Sequence, residues 1–209
     1  MTEPTAQGAL PDAVVRVLAA DARIQRVELT GSRGPRAARL ATALSDWDFT
    51  VTTAEFDAIQ QALPSLVGPL QPVVAQWDRL SRNWCYMLIV AGPVKIDLIF
   101  DHPHPVRPPW QVTAATLPRI DDHFWDWLLW LGSKQLAGRD DVVITELRKL
   151  HAHLLGPLGV MAVPGSLEEA LAEYRPALAA WQRRLRRAVS PTAEQTVMPG
   201  LRPVLWGAG

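Results

Sequence analysis

The sequence contains a single cysteine, Cys85, and no excess of either charge, since 21 basic residues balance 21 acidic ones. One cysteine excludes an internal disulfide bond, which suits a reducing cytoplasm. A chain with zero formal charge has no overall attraction to nucleic acid or to an anionic membrane. Recognition that depends on charge must therefore be local.

Several signatures are also missing. No apolar run approaches the roughly 18 residues that a membrane-spanning helix needs, and residues 1–4 lack the basic start and apolar core of a secretion signal. The sequence has neither a Gly-x-Ser-x-Gly elbow nor a phosphate loop ending in Gly-Lys-Ser/Thr. We therefore expect a cytoplasmic protein with no membrane partner that is not a hydrolase or ATPase of these types.

The first half of the chain carries the pattern of a small sheet. Segments rich in apolar, β-branched and aromatic residues predict strands, at 26–30, 46–52, 84–91 and 94–100. Gly92 and Pro93 between the last two segments predict a hairpin. Helical spacing of apolar residues predicts helices at 11–22 and 55–66.

The second half is predicted to be helical. A proline-rich segment at 101–118 can neither continue a sheet nor start a long helix, so we interpret it as a link between domains. Apolar stripes beyond it predict a helical bundle over 119–190, whereas proline and glycine in 191–209 predict a loosely packed tail. We therefore predict an α+β protein in which a mixed-sheet domain at 1–106 precedes this bundle.

Two kinds of helix-start signal are present in the second half. Ser166, with Glu169 three residues later, predicts a capping box. Helix caps are also expected among a set of acidic residues, and the alternative is an acidic rim that would attract a polycationic acceptor. These residues are Asp121, Asp122, Asp126, Asp140 and Asp141.

Aspartates interrupt the strand segments of the first half. Asp46 and Asp48 are two residues apart, so in a strand they project from the same face. Asp97 lies within an apolar run, where an unpaired carboxylate would cost several kcal/mol. Asp101 has the same strand parity as Asp97 but follows the expected end of the strand, which makes it an alternative to Asp97.

These aspartates indicate a metal site. Neighbouring carboxylates repel one another, and a divalent cation is the usual way to neutralise them. If the strand of Asp97 pairs beside that of Asp46 and Asp48, the three can hold two Mg²⁺ ions roughly 4 Å apart, an arrangement suited to in-line displacement at phosphorus. Gly31 lets the backbone approach a phosphate closely, and the Ser32 hydroxyl can donate to it.

The run GSRGPRAARLATALSDWDF, residues 31–49, resembles the signature of the nucleotidyltransferase superfamily. That superfamily includes DNA polymerase beta and the antibiotic adenylyltransferases of the aminoglycoside and lincosamide type. Its signature is Gly-Ser or Gly-Gly, a spacer, and then Asp-apolar-Asp-apolar, with a third carboxylate on a later strand. Thirteen residues separate Ser32 from Asp46 here, and Asp97 matches the third carboxylate.

The resemblance implies a function and a division of roles. The protein would transfer AMP from ATP to a hydroxyl of a small acceptor such as an aminoglycoside. The residues that would hold the nucleotide triphosphate are Gly31, Ser32 and Arg33. The residues that would ligate two Mg²⁺ ions and carry catalysis are Asp46, Asp48 and Asp97.

The helical half is similar to the antibiotic adenylyltransferases at one further position. Lys134 corresponds to a helix-borne lysine that contacts phosphate in that family. The common arginine-glycine pair nearby is reversed in this chain, as Gly138-Arg139. The resemblance implies that Lys134 also binds the nucleotide.

Two alternatives stay open at the level of the sequence. One is a nucleotidyltransferase that modifies tRNA or protein, as in some toxin–antitoxin systems. The basic block Arg183–Arg187 would then line an RNA path. The other is a nucleotide-binding module that keeps the fold without turnover.

Overall fold

The structure, a computed structural model, describes residues 6–35, 37–105 and 107–207. These residues divide into two compact units. The first unit lies within the ranges Met1–Ala41 and Asp46–Val106, and the second lies within Thr42–Ser45 and Arg107–Gly209. None of the described helices is both long enough and apolar enough to cross a membrane.

A five-stranded mixed sheet forms the centre of the first unit. Its strands are β1 (Ile24–Thr30), β2 (Trp47–Thr53), β3 (Val74–Trp77), β4 (Asn83–Val90) and β5 (Val94–Pro103). They lie in the order β1-β2-β5-β4-β3. β2 and β5 are parallel, and the other neighbours are antiparallel. The hairpin predicted at Gly92 is confirmed as the connection from β4 to β5.

Helices α1 (Ala6–Ala19) and α2 (Phe56–Leu66) pack on one face of this sheet. Alternate strand residues point into the apolar core between sheet and helices, because side chains in a strand alternate between faces. The fully buried strand residues of this core are Phe49, Val51, Leu88, Ile96, Leu98 and Phe100. The residues between them on β2 and β5 therefore face away from the helices.

Two features of the sheet differ from the prediction. β3 was not predicted, because four residues at a sheet edge are too short to show a period of two. β5 continues to Pro103, beyond the predicted end at residue 100, since a proline can end a strand where it need not donate to a neighbour.

The second unit is helical. Its helices are α3 (Leu117–Leu136), α4 (Asp140–Leu150), α5 (Leu167–Leu185) and α6 (Thr192–Trp206). α3 packs against the other three, and it is buried nearly all round, as its apolar composition predicts. A mixed sheet followed by helices confirms the predicted α+β class.

The predicted loose tail at 191–209 is wrong, because most of it forms α6. Pro199 and Pro203 lie within this helix, but they are four residues apart and exposed, so they share its outer face. The inner face carries a buried apolar stripe, formed by Ala193, Val197, Leu201 and Leu205. Burial of this stripe offsets the cost of two prolines inside a helix.

Some of the predicted helix starts are confirmed. The Ser166 hydroxyl accepts a hydrogen bond from the Glu169 backbone N–H at 3.1 Å, and Asp140 and Asp141 occupy the first turn of α4. The Glu169 carboxylate in turn accepts from the Gly165 N–H at 2.7 Å. Both contacts satisfy backbone donors that a helix start leaves free.

The acidic residues of α3 are not helix caps, since they lie inside the helix. Asp121 is 3% exposed and accepts hydrogen bonds from the Tyr174 hydroxyl at 2.5 Å and from Trp125 Nε1 at 3.1 Å. Burial raises the pKa of Asp121 to about 6, although both donors act in the opposite direction. Burial, together with the charge of Asp121, raises the pKa of Asp122 to about 7.

Candidate functional site

Asp48 and Asp97 lie side by side on neighbouring strands. They are direct partners in the parallel pairing of β2 with β5, so their side chains project from the same face of the sheet. Asp46 immediately precedes β2, and one carboxylate oxygen from each of the three residues lies within 4.8 Å of the others. The structure therefore brings together the three aspartates that the sequence singled out.

The apolar alternation of the two strands explains this placement. Phe49 and Leu98 are fully buried in the core under the helices. Asp48 and Asp97 each precede one of these core residues, so they must point to the opposite face. Burial of the apolar faces thus fixes where the carboxylates lie.

One row of strand partners crosses the sheet at the level of the site. The row runs Thr30, Asp48, Asp97, Met87 and Gln76. The Thr30 hydroxyl also donates to the Asp48 backbone carbonyl at 3.2 Å. The residues of the site therefore lie on neighbouring strands of one sheet.

The electrostatics of the site favour a cation. Burial raises the pKa of Asp97, and the charges of Asp46 and Asp78 act in the same direction. The Lys95 ammonium opposes them, donating to Asp97 Oδ1 at 2.5 Å. Asp46 is itself only 5% exposed. A buried carboxylate group with one nearby ammonium retains a strong attraction for further positive charge.

Sequence reasoning missed two residues of this environment. Lys95 has the strand parity of Asp97 and interrupts an apolar run, and this was a usable signal. Asp78 follows the short edge strand β3, whose pattern carries no comparable signal.

Gly31 lies directly against the Asp48 carboxylate. It follows β1 with φ +62°, a conformation that other residues adopt at a cost. A Cβ at this position would lie 1.8 Å from Asp48 Oδ2 and 2.7 Å from Asp48 Cγ. Glycine is therefore required here both by the backbone and by the space.

Ser32 presents a buried hydroxyl beside this glycine. Its Oγ is enclosed and has no hydrogen-bond partner among the residues that the structure describes. A cavity of about 440 Å³ adjoins the same turn and is lined by Glu28, Leu29, Thr30, Gly31, Gly34 and Pro35. An enclosed hydroxyl without a partner is costly unless a ligand supplies one.

Arg33 completes the turn after β1. Its guanidinium lies 4.5 Å from the centre of the Trp47 ring, a distance typical of a cation–π contact. Burial lowers the pKa of Arg33, whereas the charge of Asp46 acts in the opposite direction. A positive group thus stands within the electrostatic reach of the carboxylates.

The structure also describes two other predicted residues. Lys134 belongs to the second unit, where its Nζ lies 4.8 Å from the centre of the Trp130 ring. Asp101, the alternative to Asp97, is exposed on β5 and is not a member of the three-carboxylate group. It lies four residues beyond Asp97, which corresponds to about 13 Å along a strand.

No protein-family model matches the chain, and no curated protein matches it either. Among solved structures, it is similar to an aminoglycoside 6-adenyltransferase from Bacillus subtilis, with 11% identity and a TM-score of 0.35 over 94% of this chain and 97% of that one. It is also similar to the polymerase core of TRAMP, an RNA surveillance complex, with 15% identity and a TM-score of 0.33. That alignment covers 94% of this chain and 57% of the polymerase core.

Proposed function

We propose that this chain is a nucleotidyltransferase that moves AMP from ATP to a hydroxyl of a small acceptor, with its catalytic domain at 1–106. The observation that carries the proposal is the convergence of Asp46, Asp48 and Asp97 beside the Gly31 turn. The signature-like spacing of these residues in the sequence supports it as well.

The donor atoms of the site fit Mg²⁺. All three candidate ligands are carboxylates, and hard oxygen donors are what this cation prefers. Asp46, Asp48 and Asp97 would hold it. Two bound Mg²⁺ ions would neutralise the charge on the phosphates and polarise the reacting phosphorus.

The turn after β1 fits a triphosphate. The Ser32 hydroxyl lacks a partner among the described residues, and a phosphate oxygen would supply one. Gly31 leaves the backbone accessible at close range, and Arg33 contributes positive charge. We assign these three residues to nucleotide binding, and Lys134 to a phosphate contact.

The reaction is a displacement at the α-phosphorus of ATP. The acceptor hydroxyl oxygen bonds to this phosphorus, the bond to the bridging oxygen breaks, and pyrophosphate leaves with that electron pair. We assign Asp97 to orienting the hydroxyl or accepting its proton.

The direct test is a search for the product. The protein is incubated with labelled ATP, MgCl₂ and a panel of aminoglycosides and lincosamides, and the acceptors are analysed by mass spectrometry for an AMP adduct. Asp48→Asn should abolish the adduct. Asp101→Asn is the matched control, since it removes an exposed acid from β5, the strand that carries Asp97, and it should leave the yield unchanged. An adduct that persists in Asp48→Asn would contradict the proposed site.

An RNA acceptor is the second candidate. Arg183, Arg184, Arg186 and Arg187 are all exposed at the end of α5, where they would suit a phosphate backbone. Labelled ATP with tRNA as acceptor tests this candidate. A labelled RNA product, with affinity that falls steeply as salt rises, would favour RNA over a small molecule.

A further inference from the structure

Lys95 is a buried lysine beside the candidate metal ligands. Its side chain is 5% exposed, and its Nζ lies 2.5 Å from Oδ1 of Asp97, whose side chain is 13% exposed. The two residues are two positions apart on β5, so they share the face that carries the site. Lysine is rarely buried unless it is paired, because removing an ammonium from water costs several kcal/mol.

Stability alone does not explain this lysine. Its direct partner on β4 is Ile89, which is fully buried, and an apolar side chain would suit these surroundings. A buried ion pair adds little net stability, and replacing one with well-packed apolar residues is often neutral or stabilising. The position of Lys95 is better explained by what it does to Asp97.

The Lys95 ammonium lies against a carboxylate that shares its site with two others. Its Nζ donates to Asp97 Oδ1 at 2.5 Å, and Asp46, Asp48 and Asp97 each place one carboxylate oxygen within 4.8 Å of the others. The hydrogen bond to Oδ1 also restricts rotation of the carboxylate. One positive charge offsets part of the repulsion among the three aspartates.

We propose that Lys95 is a positioning residue that holds the Asp97 carboxylate ready for a divalent cation. This inference rests on the proposed function, because it requires the three carboxylates to bind metal. Lys95 engages Oδ1, so the other Asp97 oxygen would be the one that binds the cation. A carboxylate whose orientation is already fixed by a hydrogen bond loses less conformational freedom when it binds a metal ion. It therefore binds the metal more tightly.

The test measures metal affinity directly, without turnover. Mn²⁺ is titrated into the full-length protein in the absence of nucleotide, and free Mn²⁺ is followed by electron paramagnetic resonance. Lys95→Met should weaken Mn²⁺ binding by about tenfold to a hundredfold, the usual effect of losing an outer-shell partner. Lys95→Arg keeps the charge and the donor, so it should bind within a few-fold of the wild type.

Control variants distinguish a loss of Asp97 positioning from a general loss of structure in the Lys95 variants. Ile99→Val alters the same face of β5 without changing charge and should leave Mn²⁺ affinity unchanged. Circular dichroism establishes that each variant is folded. If Lys95→Met does not fold, Lys95→Gln removes the charge with less disturbance and is expected to show the same weakening.

The outcomes distinguish this inference from the proposed function. A wild-type protein that binds no Mn²⁺ would overturn both. A wild type that binds Mn²⁺, together with a folded Lys95→Met or Lys95→Gln variant that binds it equally well or more tightly, would overturn the role of Lys95 alone. Weakening in the Arg variant as large as in the Met variant would also overturn it, since rescue by the conservative change is required.

Discussion

Gly31 is the residue whose replacement the site tolerates least. Two features oppose a side chain at this position. The backbone φ is +62°, and a Cβ would lie only 1.8 Å from Asp48 Oδ2. Any side chain would strain the turn and also displace a candidate metal ligand. The conformational cost alone is about 1–2 kcal/mol.

We therefore expect Gly31→Ala to reduce nucleotidyl transfer by about a hundredfold or more, because a small displacement of a catalytic group has an effect of this size. The measurement is initial rate with labelled ATP. Gly68→Ala is the matched control, since nothing lies within 4 Å of a Cβ at this glycine. A Gly31→Ala variant with the wild-type transfer rate would contradict the requirement for the observed position of the Asp48 carboxylate.

Ser32 gives a prediction in which stability and binding change in opposite directions. Its buried Oγ has no partner among the described residues, so Ser32→Ala should leave the free energy of unfolding unchanged or raise it by about 1 kcal/mol. Loss of the donor should weaken ATP binding in the same variant. Urea unfolding and calorimetric titration with ATP measure the two effects, and unchanged ATP affinity would contradict the role of this hydroxyl.

At the scale of secondary structure, β2 and β5 carry two of the three candidate metal ligands, whereas α6 contributes to the core of the helical unit. α6 contacts α3 closely at Gly132, where a Cβ would lie only 2.5 Å from Leu201 Cδ2. Leu201 is fully buried. The C-terminal segment is therefore part of the packed unit.

Leu201→Ala should lower the free energy of unfolding by about 2–5 kcal/mol, the usual cost of a cavity at a buried leucine. Urea unfolding followed by tryptophan fluorescence measures this change. Arg202→Ala, at an exposed position of the same helix, should stay within about 0.5 kcal/mol of the wild type. Equal stabilities for the two variants would indicate that α6 is not packed as described.

At the scale of the whole molecule, two carboxyl groups of α3 couple stability to pH. The pKa of Asp121 is about 6 in the folded protein, against roughly 3.9 in an unfolded chain. Between these values the folded state binds more protons than the unfolded state. The free energy of unfolding must therefore fall as pH rises from about 4 through 6. Asp122, with a pKa of about 7, extends this fall to higher pH.

Asp121→Asn should reduce the pH-dependent decrease in the free energy of unfolding by about 3 kcal/mol, because the amide does not ionise. The Asn carbonyl can still accept from Tyr174 and Trp125, so the hydrogen bonds need not be lost. The measurement is urea unfolding at a series of pH values between 4 and 8. The same pH dependence in variant and wild type would refute the raised pKa of this carboxyl.

The strand patterns of the first half and the apolar stripes of the second half were enough to predict the α+β class. The alternation of apolar residues in β2 and β5 was enough to predict the face on which Asp48 and Asp97 lie, because a period of two leaves each side chain only two directions. α6 was missed although its stripe Ala193, Val197, Leu201 and Leu205 is present in the sequence. Its prolines argue against a helix until their exposure on the outer face is known.

What the sequence determined by itself was local: strand parity, the glycine after β1 and the identity of the carboxylates. Only the tertiary structure decided that β2 and β5 are parallel neighbours in register, which places Asp48 opposite Asp97. It also decided that Lys95 is buried against Asp97 and that Ser32 Oγ is enclosed. Distance and burial depend on which segments meet in the fold, and a linear pattern does not contain that information.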